Sequence, residues 1–413
     1  MYNIGIILYA LAIRIASLFH KKAKLLIQGQ HNTWRILKEK VEKDKDYIWI
    51  HAASLGEFEQ GRPLIEKIKQ EYPHYKILLT FFSPSGYEVR KNYPLADIIC
   101  YLPFDTPFNV TRFFKLIKPR KALFIKYEFW PNYFLQMKIR KIELYSVSSI
   151  FRKQQVFFRW YGPLARPILW NVTHFFVQDQ TSQQLLQNIN IANNKITIVG
   201  DTRFDRVEEI MKQAKTLPII QAFAQHHQEN NSKMLLIAGS SWPKDEDLLI
   251  NYFNDHHNMH MIIAPHEIPE AHLENIMTKL KRPYIRYSQA NEQNVKTADC
   301  LIIDCIGLLS SVYRYGNIAY IGGGFGVGIH NILEAAVYGI PVIWGPNYHK
   351  FKEAQDLIAA KGGFSIKSQQ ELDRLLDHYI SIEQSLAKDG ALASEFVLSR
   401  LGASARVLEH LNL

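Results

Sequence analysis

Short apolar runs alternate with mixed polar stretches along most of this chain, a spacing that predicts strands separated by helices. In the first half, Tyr47–Ala52 (YIWIHA), Tyr75–Phe81 (YKILLTF), Asp97–Leu102, Ala122–Ile125, Ile142–Val147, His174–Val177 and Lys195–Val199 read as strands. Glu57–Gln70 and Pro84–Asn92 read as helices between them. Strands of this length joined by helices imply βαβ units and a parallel sheet buried on both faces. The second half repeats the grammar without repeating the sequence: Met234–Ala238, Met259–Ala264, Cys300–Asp304, Ile318–Ile321 and Pro341–Trp344 are its strands. The expected fold class is therefore α/β, with two doubly wound, Rossmann-like domains facing each other across a cleft. In such sheets ligands bind beyond the carboxyl ends of the strands. The expected divisions are 25–207 and 233–392, joined by a polar, helix-prone connection over 208–232, with a terminal helix over 393–413 packing on either domain.

The first residues differ in character. Ile4–Phe19 (IGIILYALAIRIASLF) is apolar apart from one Arg, one Ser and one Tyr, and His20, Lys21, Lys22 and Lys24 follow. A cleavable signal carries its charges before the apolar core and a small-residue cleavage site after it, and neither is evident here. Residues 1–24 are expected to form one helix that lies along a membrane interface or spans marginally, its lysines on the cytoplasmic side. A buried N-terminal helix is the competing reading.

The chain has 413 residues, 47% of them apolar and 21% charged, the composition of a folded protein with two cores. Lys plus Arg outnumber Asp plus Glu by 49 to 39, a formal charge of +10. That favours anionic partners such as phospholipid headgroups, phosphorylated glycolipids or nucleotides, unless it serves only solubility. No zinc-finger spacing or RNP-like aromatic signature accompanies the scattered cations, so no nucleic-acid partner is expected. Three cysteines, Cys100, Cys300 and Cys305, with no CxxC pair, argue against a disulfide framework or a structural zinc site.

Candidate chemistry follows the strands. Tyr47–Ala52 leads into Ala53-Ser54-Leu55-Gly56-Glu57, where Ser54 fits an N-cap and Glu57 stands in the first helical turn. A carboxylate there complements the helix dipole or serves as a general base. Ala122–Ile125 runs into Lys126-Tyr127-Glu128-Phe129-Trp130-Pro131-Asn132, placing Glu128 at an equivalent strand end, in a structural or a chemical role. Lys195–Val199 runs into Gly200-Asp201-Thr202-Arg203. Arg203 faces either an anionic ligand or an ion-pair partner, Asp201 or Asp205. Ala238-Gly239-Ser240-Ser241-Trp242 and Ala264-Pro265-His266-Glu267 end two strands of the second half. The densest signal is Ile321–Ala336 (IGGGFGVGIHNILEAA), a strand, a glycine loop and a helix. It predicts bare backbone amides turned toward an anion, with Asn331 and Glu334 on one helix face for a ribose or base, unless the loop is merely structural. It is neither a GxxxxGK[ST] P-loop nor a GxGxxG dinucleotide fingerprint.

Taken in order, HAASLGE, YEFWPN, GDTRFD, AGSSW, the strand end at Pro265, GGGFGVGIHNILEAA and GPNYHKF resemble the 3-deoxy-D-manno-octulosonic acid (Kdo) transferases over nearly the whole chain. These are inverting glycosyltransferases of GT-B architecture. The resemblance implies that Glu57 is the general base and that Glu128 and Arg203 stabilise the transition state. It implies contacts to the CMP donor from Pro265 and His266, from Ile306, Gly307 and Leu308, and from Asn331, Ile332, Leu333 and Glu334. Ser240, Ser241, Gly323, Gly324 and His330 complete the implied donor site. There are departures: Pro265-His266-Glu267-Ile268 stands for the family's P-R-H-P, Ile306-Gly307-Leu308 for M-G-E, Ile329 for the second Gly of G-G-H-N, and Arg203 for a Lys. The implied reaction takes Kdo from CMP-Kdo to a lipid A precursor at the cytoplasmic face of the inner membrane, with no metal and no other cofactor. A nucleotide-sugar epimerase of the same architecture and a non-catalytic membrane-bound nucleotide sensor are the rival readings.

Overall fold

The computed structural model describes residues 2–229 and 234–413. Two compact units emerge, Met1–Arg206 with Gly402–Leu413, and Val207–Leu401.

In the first unit seven strands, β1 (Tyr47–His51), β2 (Lys76–Phe81), β3 (Ile98–Tyr101), β4 (Pro119–Ile125), β5 (Glu143–Ser149), β6 (His174–Val177) and β7 (Ile196–Ile198), form one sheet. Their order is β3-β2-β1-β4-β5-β6-β7, and every pair is parallel. The two-residue period of a strand sends Tyr47 and Trp49 to one face and Ile48 and Ile50 to the other. Trp49 packs with Phe113, Phe124 and Tyr133, while Ile48 and Ile50 pack with Phe58, Leu64 and Val407. Burying a large apolar side chain of this kind contributes roughly 1.5–3 kcal/mol, so β1 anchors two cores at once. The strand order reverses between β1 and β4, and the chain leaves their carboxyl ends in opposite directions, opening a crevice there.

The amino-terminal segment is two helices rather than the single helix expected over 1–24. They are α1 (Tyr2–Ala16) and α2 (Lys21–Lys40), bent from each other by 119°. The Ser17 hydroxyl donates to the Arg14 carbonyl at 2.6 Å, a local bond that competes with continuing the helix. Lys21, Lys22 and Lys24 therefore open α2 instead of closing α1. Gly29 lets α2 approach the Tyr101 ring, which a Cβ would overlap, and the Thr33 hydroxyl donates to the Tyr101 carbonyl at 2.8 Å. The phenol of Tyr2 donates to Asp105 at 2.8 Å, fastening α1 at its start.

The second unit is built on β8 (Met234–Ser241), β9 (Met259–Pro265), β10 (Tyr284–Arg286), β11 (Cys300–Ile302), β12 (Ile318–Ile321), β13 (Val342–Trp344) and β14 (Gly363–Ser365). All pairs are parallel in the order β10-β11-β9-β8-β12-β13-β14, so the reversal falls between β8 and β12. The edge strands β10 and β14 were not expected from the sequence. Each has only three residues, too few for an apolar alternation to stand out.

The connection expected over 208–232 is largely structured. Its first part continues the helix Arg203–Lys212, the helix Pro218–Glu229 packs into the second unit, and residues 230–232, with residue 233, lie outside the described residues. The terminal helix expected over 393–413 is broken. Glu383–Leu398 closes the second unit, and Ala403–Leu411 returns to the first, where Asp205 accepts the amides of Gly402 and Ser404, both at 2.6 Å.

Candidate active site

In the first unit the carboxyl ends of β1 and β4 bring Glu57 and Glu128 to the point of strand reversal. Ser54 occupies the N-cap position of the helix α3 (Leu55–Glu71), but its side chain makes no capping bond. The carboxylate of Glu57, in the first turn, reaches back instead, and its Oε2 accepts the Ala53 amide at 2.6 Å. Glu57 is only 7% exposed. Burial first, and then the negative charge of Glu128, push its carboxyl up to about 7, against the amides of Ala53 and Ser54 and the charge of Lys126. Helix-end complementarity and acid–base chemistry, the alternatives in the sequence, are both open to this side chain. A carboxyl poised near neutrality can take up a proton and release it again.

Glu128 lies beyond β4. Its Oε2 accepts the Trp130 indole N–H at 3.1 Å, and the same oxygen stands 3.9 Å from Nε2 of the buried His51. Lys126, just before it, has φ +62°, and Ser148, at the end of the neighbouring β5, has φ +50°. Left-handed backbone at non-glycine residues costs energy and gathers where a site fixes its geometry. Ser148, Thr202 and Gln60 tie β5 to α3: the two hydroxyls lie 2.9 Å apart, and Thr202 donates to the Gln60 carbonyl at 2.6 Å.

Arg203 resolves an alternative left open by the sequence. Its Nε and Nη2 grip Oδ2 of Asp201 at 3.0 and 2.7 Å, and its amide donates to Oδ1 at 3.0 Å. The guanidinium, with the Gln60 amide, holds the buried Asp201 below the usual carboxylate range, against its burial. Asp205, the other candidate partner, is occupied by the Gly402 and Ser404 amides. A guanidinium locked in this way presents a fixed cation rather than a flexible one.

In the second unit, Ser240 and Ser241 end β8, the glycine loop ends β12, and both lie at the strand reversal. Glycine is required at two contacts. A Cβ on Gly322 would overlap the Ser240 carbonyl, and one on Gly324 would lie 2.5 Å from the Gly345 amide nitrogen. The expected row of bare amides needs correction. The Gly323 amide donates to Asp245 at 2.8 Å, and those of Gly326 and Gly328 to the Gly323 carbonyl at 3.0 and 2.9 Å. These bonds shape the loop, so those three N–H groups are not presented to a ligand. The helix beyond it, Leu333–Ala336, has four residues. Asn331 precedes it, accepts the Leu333 amide at 3.2 Å and donates to Glu334 at 2.9 Å, so this predicted pair does come together. Ile332 and Leu333 are buried, which leaves only their backbone for a ligand.

Pro265 and His266 end β9. His266 stacks on His330 with centroids 4.2 Å apart, and on Trp242 at 5.0 Å. The Trp242 indole donates to Nε2 of His330 at 3.2 Å, which makes that nitrogen an acceptor and places the ring proton on Nδ1. Burial, then His266, lowers His330 to about 4, so it is neutral at physiological pH. Trp242 and His51 entered the sequence reading only as members of the AGSSW and HAASLGE motifs, without a role of their own, and Asp245 did not enter it at all. Ile306, Gly307 and Leu308 follow β11. Ile306 is 89% exposed, and Gly307 has φ +95°. Among the described residues no group of His, Cys, Asp and Glu is arranged to hold a metal ion.

Residues 29–206 match the family model for 3-deoxy-D-manno-octulosonic-acid transferase (kdotransferase). The chain is 27% identical over 356 residues to the 3-deoxy-D-manno-octulosonic acid transferase of Aquifex aeolicus, covering 84% of this chain and 90% of that protein. To the transferase of the same name from Haemophilus influenzae it is 25% identical over 377 residues, covering 88% and 86%. Among solved structures, the UDP-GlcNAc 2-epimerase of Neisseria meningitidis bound to UDP-GlcNAc matches with a TM-score of 0.61 at 15% identity, covering 88% of this chain and 99% of that one. That likeness is one of fold, the pair of doubly wound parallel sheets that characterises GT-B proteins.

Proposed function

We propose that the chain belongs to the 3-deoxy-D-manno-octulosonic-acid transferase family of glycosyltransferases and, on that premise, that it transfers Kdo from CMP-Kdo to a lipid A precursor with Glu57 as general base. The observation that carries the mechanism is the Glu57 carboxyl at the strand reversal, buried and raised to about 7 beside Glu128. In the proposed step an acceptor hydroxyl oxygen attacks the anomeric carbon of Kdo and gives its proton to Glu57. The bond from that carbon to the CMP phosphate oxygen breaks, and the configuration inverts. Arg203, fixed by Asp201, offers positive charge to the carboxylate or phosphate that must be stabilised. Glu128 orders the same strand ends. We assign donor recognition to the second unit, through Ser240, Ser241, Pro265, His266, the Ile306–Leu308 turn, Gly324, His330 and the residues Asn331, Ile332, Leu333 and Glu334, with Gly323 shaping the loop rather than offering its amide.

The N-terminal pair of helices supports a membrane-bound acceptor. Along α1 the side chains of Ile4, Ile7, Leu8, Leu11 and Ile15 face outward, and Leu18 and Phe19 beyond it are more than three-quarters exposed, at 77% and 79%. No single helix among the described residues is long and apolar enough to cross a membrane; α1 and α2 pass that test only as a bent pair. An interfacial helix, apolar toward the acyl chains and followed by lysines at the headgroups, fits this shape at the cytoplasmic face of the inner membrane.

Incubation of the purified protein with CMP-Kdo and a Kdo-free lipid A precursor in mixed micelles tests the reading. Mass spectrometry of the lipid should show the gain of one or more Kdo residues, with release of CMP. No gain in lipid mass, with the donor sugar isomerised in the absence of acceptor, would instead identify an epimerase.

A further inference from the structure

His51 was given no role of its own from the sequence, yet its surroundings are unusual. It ends β1 and is fully buried, its ring against Phe124 with centroids 4.9 Å apart. In the parallel register it lies opposite Thr80 on β2, and its Nδ1 is 2.9 Å from the Thr80 hydroxyl oxygen. That oxygen also accepts the Trp49 indole N–H at 2.8 Å. The other ring nitrogen, Nε2, is buried without a hydrogen-bond partner among the described residues, and it looks toward Oε2 of Glu128 at 3.9 Å.

The direction of these bonds fixes the imidazole proton. An indole N–H can only donate, so Thr80 accepts from Trp49 and keeps one proton to give. Buried hydroxyls give that proton to an acceptor, and the acceptor in reach is Nδ1 of His51. With Nδ1 accepting, the ring proton sits on Nε2, aimed at Glu128. At 3.9 Å this is not a hydrogen bond, and a buried N–H without an acceptor is unfavourable. An approach of about 1 Å by the carboxylate would make the bond, since N–H···O distances run from about 2.7 to 3.2 Å. Glu128 is placed to make it. It follows Lys126, whose backbone is strained, and among the described residues its carboxylate is held by one hydrogen bond, from the Trp130 indole to the same oxygen. Hydrogen bonds in a resting site are commonly long and tighten when substrate binds.

We propose that His51 is a positioning residue for Glu128: a neutral imidazole, oriented by Thr80, whose Nε2–H takes up the Glu128 carboxylate as substrate binds and fixes it for the transfer. This rests on the reading of the site as a transferase with Glu128 in its working machinery. In the bound state Oε2 then accepts two hydrogen bonds, one from the Trp130 indole N–H and one from the His51 Nε2–H. The orientation of the carboxylate is thereby set, which fixes its charge beside Glu57.

Two measurements test the proposal. In protein labelled with 15N-histidine, two-bond proton–nitrogen spectra should show His51, assigned by its loss in His51→Asn, with Nε2 protonated at neutral pH. A protonated Nδ1 would overturn the proposal, and this reading needs no turnover. Kinetically, His51→Gln carries an amide N–H near the position of Nε2, whereas His51→Asn ends near Nδ1 and reaches only Thr80. His51→Asn should lower kcat at least tenfold with KM for CMP-Kdo within twofold, and His51→Gln should recover most of the loss. Thr80→Val, which removes the orienting hydroxyl but keeps the imidazole, should lower kcat by a smaller factor. Full kcat in His51→Asn, or equal losses in the Asn and Gln variants, would remove His51 from this role. No Kdo transfer by the wild-type protein would overturn the transferase reading itself, and the two failures are thereby distinct.

Discussion

The Glu57 carboxylate accepts the Ala53 amide at 2.6 Å, a bond that favours its charged form, and is nevertheless held protonated up to about pH 7 by burial and by Glu128. The opposition of these effects gives the first prediction. Glu57→Gln keeps an oxygen for the Ala53 amide and removes the proton acceptor. Transfer should fall by about two to four orders of magnitude, the usual worth of a general base, with CMP binding unchanged. The stability change has a definite sign. A carboxyl whose folded-state pKa lies above its ordinary value near 4.5 stabilises the fold less and less as pH rises through that window, because ionisation is disfavoured only in the folded state. The variant should therefore unfold at a higher temperature than wild type at pH 8, and the advantage should vanish as the pH falls below about 4.5. Scanning fluorimetry across this pH range reads it. Wild-type turnover in the variant would remove Glu57 from the chemistry.

The pH dependence of turnover is a separate matter. If Glu57 acts ionised, kcat/KM should rise with pH and level off above about 7. Glu128→Gln removes the negative charge that is the second cause of the shift, so the rising limb should move to lower pH whatever happens to the maximum. As the two carboxyls interact, the profile reports the pair rather than either residue alone. An unmoved limb in the Glu128 variant would mean that the two do not sense each other.

Most of this site could be read from strand ends, because in doubly wound sheets the chain must deliver side chains there. Glu57, Glu128 and the glycine loop were found that way. What stayed hidden depended on partners far apart in sequence. His51 looks like one more residue of an apolar strand until the register of β1 on β2 sets it against Thr80. Arg203 had two acids in reach, and the choice of Asp201 was decided by the amides of Gly402 and Ser404, nearly two hundred residues on, which occupy Asp205. The glycine loop suggested bare amides because nothing local shows that Asp245, from the helix after β8, takes the Gly323 N–H. The break between α1 and α2 turned on one serine inside a run whose composition argues for a continuous helix.

The glycines of the second unit differ in what they tolerate. A Cβ on Gly345 would lie 2.6 Å from the Gly324 carbonyl carbon and 2.7 Å from the Phe325 ring, whereas one on Gly326 would meet nothing within 4 Å. Gly345→Ala must therefore push the loop off β13, since backbone cannot yield as a flexible side-chain end can. CMP binding, measured by titration calorimetry, should weaken at least tenfold in Gly345→Ala and change less than threefold in Gly326→Ala. Equal affinities would mean that the loop does not form the nucleotide site.

Acid should act on the second unit in the sense opposite to its effect through Glu57. His227 and His260 stack with centroids 3.4 Å apart, Nε2 of His227 3.0 Å from the Ala298 carbonyl oxygen and Nε2 of His260 3.2 Å from Asp299. Burial lowers both to about 4; for His227 the neighbouring His260 adds to it, and for His260 Asp299 partly offsets it while Arg282 reinforces it. An imidazole with a folded-state value near 4 and an ordinary value near 6.5 is protonated first in the unfolded chain. Its contribution to stability is full above about pH 6.5 and is lost progressively as the pH falls toward 4. Amides of β8 and β9, which carry or adjoin this pair, should thus lose hydrogen-exchange protection between pH 6.5 and 4.5 once intrinsic rates are corrected. A His227→Gln, His260→Gln variant keeps side-chain donors but no ionisable ring, and its protection should be nearly flat across the same window. If wild type and variant lose protection in parallel, the acid sensitivity arises elsewhere and the stacked pair carries none of it.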